Sequence, residues 1–173
     1  MENIQKVDFS ARLLSAFLDF LIYGFIIALC SSPRILCSIN NDFDYQTVKD
    51  FRHSVDYITL IQLFGFTLFL TKDVFNGRSI GKRITGLCVV DNITNELSNP
   101  FFYIVRNIIV FNIFDFAFLR RDPSRRMGDI WGGTKVIPYN PDTHTTSITP
   151  VKILLSIITC YILISMLYLL DKL

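Results

Sequence analysis

Ionisable residues interrupt two long apolar runs of this sequence. Asp19 lies in the run from Leu13 to Cys30, and Arg106 and Asp115 lie in the run from Phe101 to Leu119. A charged side chain at the centre of a bilayer costs about 2.5–3.5 kcal/mol even on lenient insertion scales. If these runs enter a membrane, their charged residues therefore need either a buried partner or a function.

The composition is that of one small integral membrane protein. Of the 173 residues, 51% are hydrophobic and only 18% are charged, which is too apolar for an ordinary soluble domain. The net charge of +2, without an aromatic and basic binding pattern, gives no indication of nucleic-acid binding. The first apolar run lacks a signal-peptidase cleavage pattern, so we expect it to be a retained span of a multi-pass cell-membrane protein.

Four apolar runs are candidates for membrane segments, at about 13–31, 57–75, 101–119 and 152–170. The first and the last are long enough to span a bilayer. The second spans only if its helix continues through Phe75 and Lys72 extends its amine to the lipid head groups. The third is polar within, and it could cross, lie in the interface, or enter and return.

The distribution of basic residues favours three spans. If 101–119 crosses the bilayer, lysine and arginine residues are nearly balanced between the two sides, and their distribution does not predict the orientation of the protein in the membrane. If it does not cross, most of them join the N-terminus on one side, which is then cytoplasmic. We therefore predict an all-α membrane protein with three transmembrane helices and one membrane-embedded or interfacial helical segment.

A small cytoplasmic β ribbon is predicted beside the helices. The segments 87–91 and 133–137 are rich in β-branched residues and bounded by glycine or proline, and we expect them to pair. Before the first strand, Gly77, Gly81 and Lys82 resemble a phosphate loop. The spacing is one residue short of the Walker pattern and lacks its Ser or Thr, so no nucleotide site is predicted.

Four sequence elements follow one another between residues 12 and 137. They are Arg12 with Asp19, Gly77-Arg-Ser-Ile-Gly-Lys-Arg-Ile-Thr-Gly-Leu-Cys-Val-Val-Asp91, Val105-Arg106-Asn107, and Arg126-Met-Gly-Asp129-Ile-Trp-Gly-Gly-Thr134-Lys-Val-Ile. In this order they resemble the motifs of the RDD family of small membrane proteins. Gly128 and Gly132 depart from the family's usual His and Ala, and the span after the last motif departs from its commonest arrangement.

The resemblance implies a single membrane domain over residues 1–173, in a bacterial-type inner membrane. The activity of the family is poorly defined. Cation/proton exchange has been proposed for some members, and a general transport role is often assumed.

The residues themselves point to a buried polar site. Arg12, Ser15, Asp19, Tyr23 and Cys30 form one polar stripe on the first helix, which must face protein or water. Two interpretations of Asp19 stay open: a monovalent cation or proton site, or a carboxylate neutralised by Arg12 or Arg106 that only fixes helix packing. The candidate residues for ion or substrate binding or for a buried charge pair are Arg12, Asp19, Gln62, Arg106, Asp115 and Asp129.

Other charged residues have a structural interpretation beside the functional one. Arg106 could be an interfacial anchor with its guanidinium among the head groups. Asp129 closely follows Arg125 and Arg126, which favours an ion pair or a helix cap. The basic residues Arg120, Arg121, Arg125 and Arg126 either contact anionic lipid or serve as a solvated topology signal.

Catalytic and metal sites are not predicted, and we expect no enzyme activity and no cofactor. His53 and His144 are isolated, and the cysteines lack metal-binding spacing, although Cys30 and Cys37 could form a disulfide. The function expected is transporter-like: cation/proton exchange or small-solute transport. Because three spans enclose little volume, it would act as a homo-oligomer or with a partner membrane protein. The alternative is a non-transporting subunit that binds a partner protein or stabilises a membrane assembly.

Overall fold

A computed structural model describes residues 7–40, 45–108, 118–141 and 147–170. Within these ranges, the side chains at 34, 37–40 and 45–57 lie outside the description. The elements are α1 (Phe9–Asn40), α2 (Tyr45–Leu70), α3 (Ile80–Ile84), β1 (Leu87–Asp91), α4 (Pro100–Ile108), α5 (Met127–Trp131), β2 (Thr134–Pro138) and α6 (Pro150–Leu170). Residues 118–121 add a helical turn. The protein is mostly helical with one small sheet, as predicted.

Two of the described helices are long and apolar enough to cross a bilayer. In α1 this portion is Phe9–Pro33, 25 residues long, and α6 contributes Pro150–Leu170, 21 residues long. Little of either helix is buried inside the protein. At 1.5 Å per residue, 21 residues reach about 31 Å, which matches the thickness of a bilayer core.

The second helix ends at Leu70, so the prediction that it continues through Phe75 is wrong. Its apolar portion, Ile58–Leu70, is shorter than a full span, and the chain turns immediately after it. Asn107 Nδ2 donates to the Leu70 carbonyl at 3.0 Å and so satisfies one of the free carbonyls at the helix end. Lys72 is only 7% exposed, so it does not extend to the head groups. The reason is a set of buried partners described below.

The predicted β ribbon is present. Strands β1 and β2 are antiparallel, with Leu87 opposite Pro138, Val89 opposite Val136 and Asp91 opposite Thr134. The second strand begins at Thr134 and not at the predicted residue 133. Gly133 has a left-handed φ of 61°, which belongs to the turn that leads into the strand.

The ribbon covers an apolar core that joins it to three helices, α2, α4 and α6. Val89, Val136 and Tyr103 are fully buried there, together with Leu70 and Cys160 from α2 and α6. The Tyr103 hydroxyl accepts from the Ser98 N–H at 2.9 Å and donates to the Val89 carbonyl at 3.2 Å. Although it is buried, the phenol hydroxyl therefore has both a hydrogen-bond donor and an acceptor as partners.

The predicted embedded segment is described in part. Helix α4 covers its beginning, whereas residues 109–117, with Asp115, lie outside the described residues. The disulfide considered for Cys30 and Cys37 does not fit the fold. Both residues belong to α1, and seven helical residues separate their Cα atoms by about 10 Å, beyond the roughly 7 Å that a disulfide can bridge.

Candidate functional site

Eight charged side chains lie buried where α1 meets the turn after α2 and the helices α3, α4 and α5. They are the carboxylates Asp19, Asp73 and Asp129 and the cationic residues Arg12, Lys72, Lys82, Arg106 and Arg126. We call them the charge cluster. Taking a single charge out of water costs several kcal/mol, so a buried group of this size persists only when its members pair with one another.

Asp129 is the centre of the arginine half of the cluster. Its Oδ2 lies 3.0 Å from Arg12 Nη2, and its Oδ1 lies 2.8 Å from Arg106 Nη2. Asp129 is also the third residue of α5, where its Oδ2 accepts the Arg126 backbone N–H at 3.1 Å. One carboxylate therefore holds two arginines and caps a helix start, a position that favours negative charge.

Asp19 is the centre of the lysine half. Its Oδ1 accepts the Gly81 N–H at 2.9 Å, and its Oδ2 accepts the Ser79 hydroxyl at 2.7 Å. The amines of Lys82 and Lys72 lie 3.5 and 3.7 Å from the same Oδ2. The sequence around Ser79 explains this arrangement, because Ser79 caps α3 and thereby aims the first turn of that helix at α1.

Asp73 joins the two halves. Its Oδ1 lies 2.7 Å from Lys82 Nζ, and its Oδ2 lies 3.8 Å from Arg106 Nε and accepts from Asn107 Nδ2 at 3.2 Å. The other atom of the Asn107 amide, Oδ1, accepts from Arg126 Nη2 at 2.9 Å. The cluster is therefore one connected network that involves four separate segments of the chain besides α1.

Two glycines permit the close backbone approaches that the cluster needs. A Cβ on Gly81 would lie 2.3 Å from the Ser15 carbonyl oxygen, and a Cβ on Gly128 would lie 2.3 Å from the Arg106 carbonyl oxygen. Gly128 is the position at which the RDD-like motif usually has His. The structure leaves no room there for any side chain without a shift of the backbone.

Burial and neighbouring charges both shift the pKa values of groups in the cluster. Burial would raise the pKa of Asp129, but Arg106 and Arg12 hold it below its usual value. Burial lowers the pKa of Lys72 to about 7, and the nearby Lys82 acts in the same direction. The amine of Lys72 also lies 4.4 Å from the centre of the Phe69 ring, a cation–π distance.

A cavity of about 430 Å³ opens beside the cluster. All five cationic residues of the cluster line it, whereas Asp19 is the one carboxylate among the described lining residues. The rest of the lining is largely apolar and includes Phe17, Phe20, Phe66 and Phe69. The volume is in the range of small-ligand sites, and the excess of positive charge favours an anion.

The structure brings together four of the predicted candidates, Arg12, Asp19, Arg106 and Asp129. It also confirms that the polar stripe faces protein, because Arg12, Ser15 and Asp19 are at most 5% exposed. The pairing predicted for Asp19 is wrong, since its ion-pair partners are Lys82 and Lys72 and the arginines bind Asp129. The anchor interpretation of Arg106 is also wrong, because this side chain is 1% exposed.

Of the other two candidates, Gln62 lies away from the cluster, and Asp115 is outside the described residues. Gln62 Nε2 donates to the Ser31 hydroxyl at 3.0 Å, which links α2 to a part of α1 twelve residues beyond Asp19. Of the four basic residues assigned to lipid contact, Arg120 and Arg121 are exposed and Arg125 is half-buried. Arg126 contradicts that assignment because Asn107 and the Arg106 carbonyl bind its guanidinium inside the protein.

Four further residues belong to the site but were not among the predicted candidates: Lys72, Asp73, Lys82 and Asn107. A usable signal was present: Lys72 and Asp73 follow an apolar run directly, and Ser79, Gly81 and Lys82 belong to one RDD-like motif. Among the described residues, no three His, Cys, Asp or Glu side chains are placed to hold a metal ion. Comparison of the chain with protein-family models, curated proteins and solved structures gives no match.

Proposed function

We propose that this chain is an integral membrane protein of the transporter type and that it takes an anionic solute into the cavity beside the charge cluster. The observation that carries the proposal is the lining of the cavity, in which five cationic side chains and one carboxylate are found among the residues that the structure describes. Membership of the RDD family belongs to the same proposal, and the motifs that suggest it supply Arg12, Asp19, Lys82, Arg106 and Asp129.

The cation/proton exchange suggested by the sequence is less well supported by this geometry. A cation would need a carboxylate that can release its present partner. Asp73 and Asp129 each contact two cationic side chains within 4 Å, and Asp19 contacts the amines of Lys72 and Lys82. An anion needs no such exchange because it adds negative charge where positive charge is in excess.

Titration of Lys72 gives this proposal its test. We expect sulfate, whose own charge does not change in this range, to bind more tightly at pH 6 than at pH 8, by about fivefold, because Lys72 is protonated below its pKa of about 7. The groups that face its amine are Asp19, Asp73, Lys82 and Arg126, with the rings of Tyr23 and Phe69.

Calorimetric titration of the purified protein in a neutral detergent measures this affinity. Phosphate is the second probe. It gains negative charge as the pH rises from 6 to 8, which opposes the effect of Lys72, so its affinity should vary less with pH than that of sulfate. Lys72→Met is the control, and its sulfate affinity should not vary with pH. Absence of binding of both anions at pH 6 would falsify the anion site.

The proposal includes a three-span topology. Strands β1 and β2 stand on either side of the segment 101–119 and pair with each other, so the chain leaves the ribbon and returns to it. We propose that 101–119 is embedded or interfacial, that α1 and α6 span, and that the ribbon and the N-terminus are cytoplasmic. We propose that α2 also crosses, because the helix extends before its short apolar portion and not after it: its 26 residues, Tyr45–Leu70, reach about 39 Å. Transport through so few helices would require a homo-oligomer or a partner.

Added cysteines can test this topology. In a cysteine-free background, Ile93→Cys and Asn140→Cys lie before and after the segment 101–119, at exposed positions. We expect an impermeant thiol reagent to label both only after the membrane is permeabilised. The native Cys88 cannot serve as reporter because it is fully buried and its pKa is raised to about 11. Labelling of Asn140→Cys alone on intact cells would mean that 101–119 crosses.

A second candidate function is a non-transporting subunit. The observation in its favour is the saturated pairing of the carboxylates, which ties α1 to the later segments and needs no ligand to do so. Liposomes that contain only this protein separate the two functions. Uptake of labelled phosphate above that of empty liposomes supports transport, whereas phosphate binding without uptake supports the subunit.

A further inference from the structure

The cavity has two chemically different ends. The inner end carries the cationic side chains of the charge cluster, which are at most 8% exposed. The outer end is aromatic: Phe17, Phe20 and Phe66 line the cavity, yet they are 57%, 69% and 40% exposed. The cavity therefore opens between α1 and α2 on the apolar surface that a membrane span presents to lipid.

Hydrogen-bond donors at the inner end remain available for a ligand. Within the described part of the chain, Arg106 Nη1 and Nε and Ser15 Oγ have no hydrogen-bond partner, and both residues are 1% exposed and line the cavity. A buried donor without a partner is costly, and a guanidinium is suited to phosphate. The oxygens of Asp19 already accept from Gly81 and Ser79, which limits their repulsion of an anion.

The outer end distinguishes between kinds of anion. A small hydrophilic anion gains nothing from exposed phenylalanine rings, whereas a hydrocarbon chain that lies along them buries apolar surface on both sides. An opening on the lipid-facing surface also gives entry to a molecule that is already dissolved in the bilayer.

We propose that the cavity binds an amphiphile, with its phosphate head group on Arg106 and Ser15 and its hydrocarbon chain leaving past Phe17, Phe20 and Phe66 into the lipid phase. This inference rests on the proposed anion site and names its ligand class. The same head-group chemistry occurs in free phosphate, so the experiment must separate the two sources.

The probes are dodecyl phosphate, inorganic phosphate and dodecyl trimethylammonium, each titrated into the purified full-length protein in a neutral maltoside detergent. We expect dodecyl phosphate to bind at least roughly tenfold more tightly than inorganic phosphate, since two methylenes buried at the aromatic end are enough for that ratio. The cationic amphiphile should not bind at the site.

Two variants test the two ends of the cavity separately. Neither removes a hydrogen bond within the protein, because Ser15 Oγ has no partner and Phe20 has no polar side-chain atom. Ser15→Ala should weaken dodecyl phosphate and inorganic phosphate alike, by roughly tenfold. Phe20→Ala should weaken dodecyl phosphate only. Phe25→Ala is the matched control, since Phe25 is a 65% exposed phenylalanine of the same helix outside the cavity.

The outcomes separate this inference from the function on which it rests. Equal affinity for the two phosphates overturns the amphiphile and leaves the anion site standing. Failure of both phosphates to bind overturns both. Binding of dodecyl phosphate that neither Ser15→Ala nor Phe20→Ala changes is partition into detergent, and it also overturns the amphiphile.

Discussion

Replacing Asp129 with alanine is expected to lower the free energy of unfolding by about 3–5 kcal/mol, the cost of removing one member of a buried ion pair. Asp129 is 0% exposed and neutralises Arg12 and Arg106 at 3.0 and 2.8 Å. Without it, Arg12 loses its carboxylate, Arg106 keeps only the 3.8 Å contact with Asp73, and α5 loses the cap on its first turn. Thermal unfolding in detergent should show a midpoint lower by roughly 10 °C.

Asp91→Ala is the matched control for this change. Like Asp129, Asp91 accepts hydrogen bonds from the backbone, in its case from the N–H groups of Ile93 and Thr94. It is only half-buried, however, and lies at the end of β1. Its loss should cost about 1 kcal/mol. Adding Arg12→Leu to Asp129→Ala removes the arginine that has lost its carboxylate and should recover part of the stability. Equal losses in Asp129→Ala and Asp91→Ala would contradict the central role of Asp129.

The contribution of Asp129 to stability should depend on pH in one defined direction. The pKa of Asp129 is lower in the folded protein than its usual value of 3.8. Its stabilising contribution is therefore complete at neutral pH and is lost as the pH falls below 3.8 through the folded pKa. The stability difference between the native protein and Asp129→Asn should be constant from pH 5 to 8 and should decrease below pH 4.

Local periodicity was sufficient to find the part of the site that lies on α1. The 3.6-residue repeat places Arg12, Ser15 and Asp19 on one face of α1, and that face is buried as predicted. The β-branched segments on either side of 101–119 likewise predicted the ribbon. The buried face of α1 and the position of each strand depend on residues close together in sequence, for which spacing alone decides the geometry.

Pairing could not be predicted in the same way. The bond from Ser79 to Asp19 spans 60 residues, and that from Arg12 to Asp129 spans 117. Several arginines and lysines could have served each carboxylate, and only the packing of α3 and α5 against α1 and α4 chooses among them. Spacing along one helix contains no information about that choice.

General rules for charged residues at a membrane also failed where tertiary partners were available. Lys72 follows an apolar run, so snorkelling was the reasonable expectation, yet Asp19 and the Phe69 ring bind its amine inside the protein. Arg126 lies in a basic stretch, yet Asn107 binds it. A buried carboxylate or amide at hydrogen-bond distance is a stronger partner than a solvated head group.

Replacing Gly81 with alanine is the second change from which we expect a large loss, about 3 kcal/mol or more. The added Cβ would lie 2.3 Å from the Ser15 carbonyl oxygen and 2.8 Å from Asp19 Oδ1. The closest atom belongs to the backbone of a long helix, which cannot move as a side chain can, so α3 must shift away from α1. That shift breaks the 2.9 Å bond from the Gly81 N–H to Asp19.

Gly24→Ala is the control that isolates this steric effect, because both glycines are helical and nothing lies within 4 Å of a Cβ at Gly24. Alanine favours the helix over glycine by about 1 kcal/mol, so Gly24→Ala should be neutral or stabilising. Unfolding midpoints of the two variants, measured in one detergent, give the comparison. If Gly81→Ala is as stable as Gly24→Ala, then α3 does not pack on α1 as described. Asp19 and Lys82 would then not be held together, and the anion site would lose its structural basis.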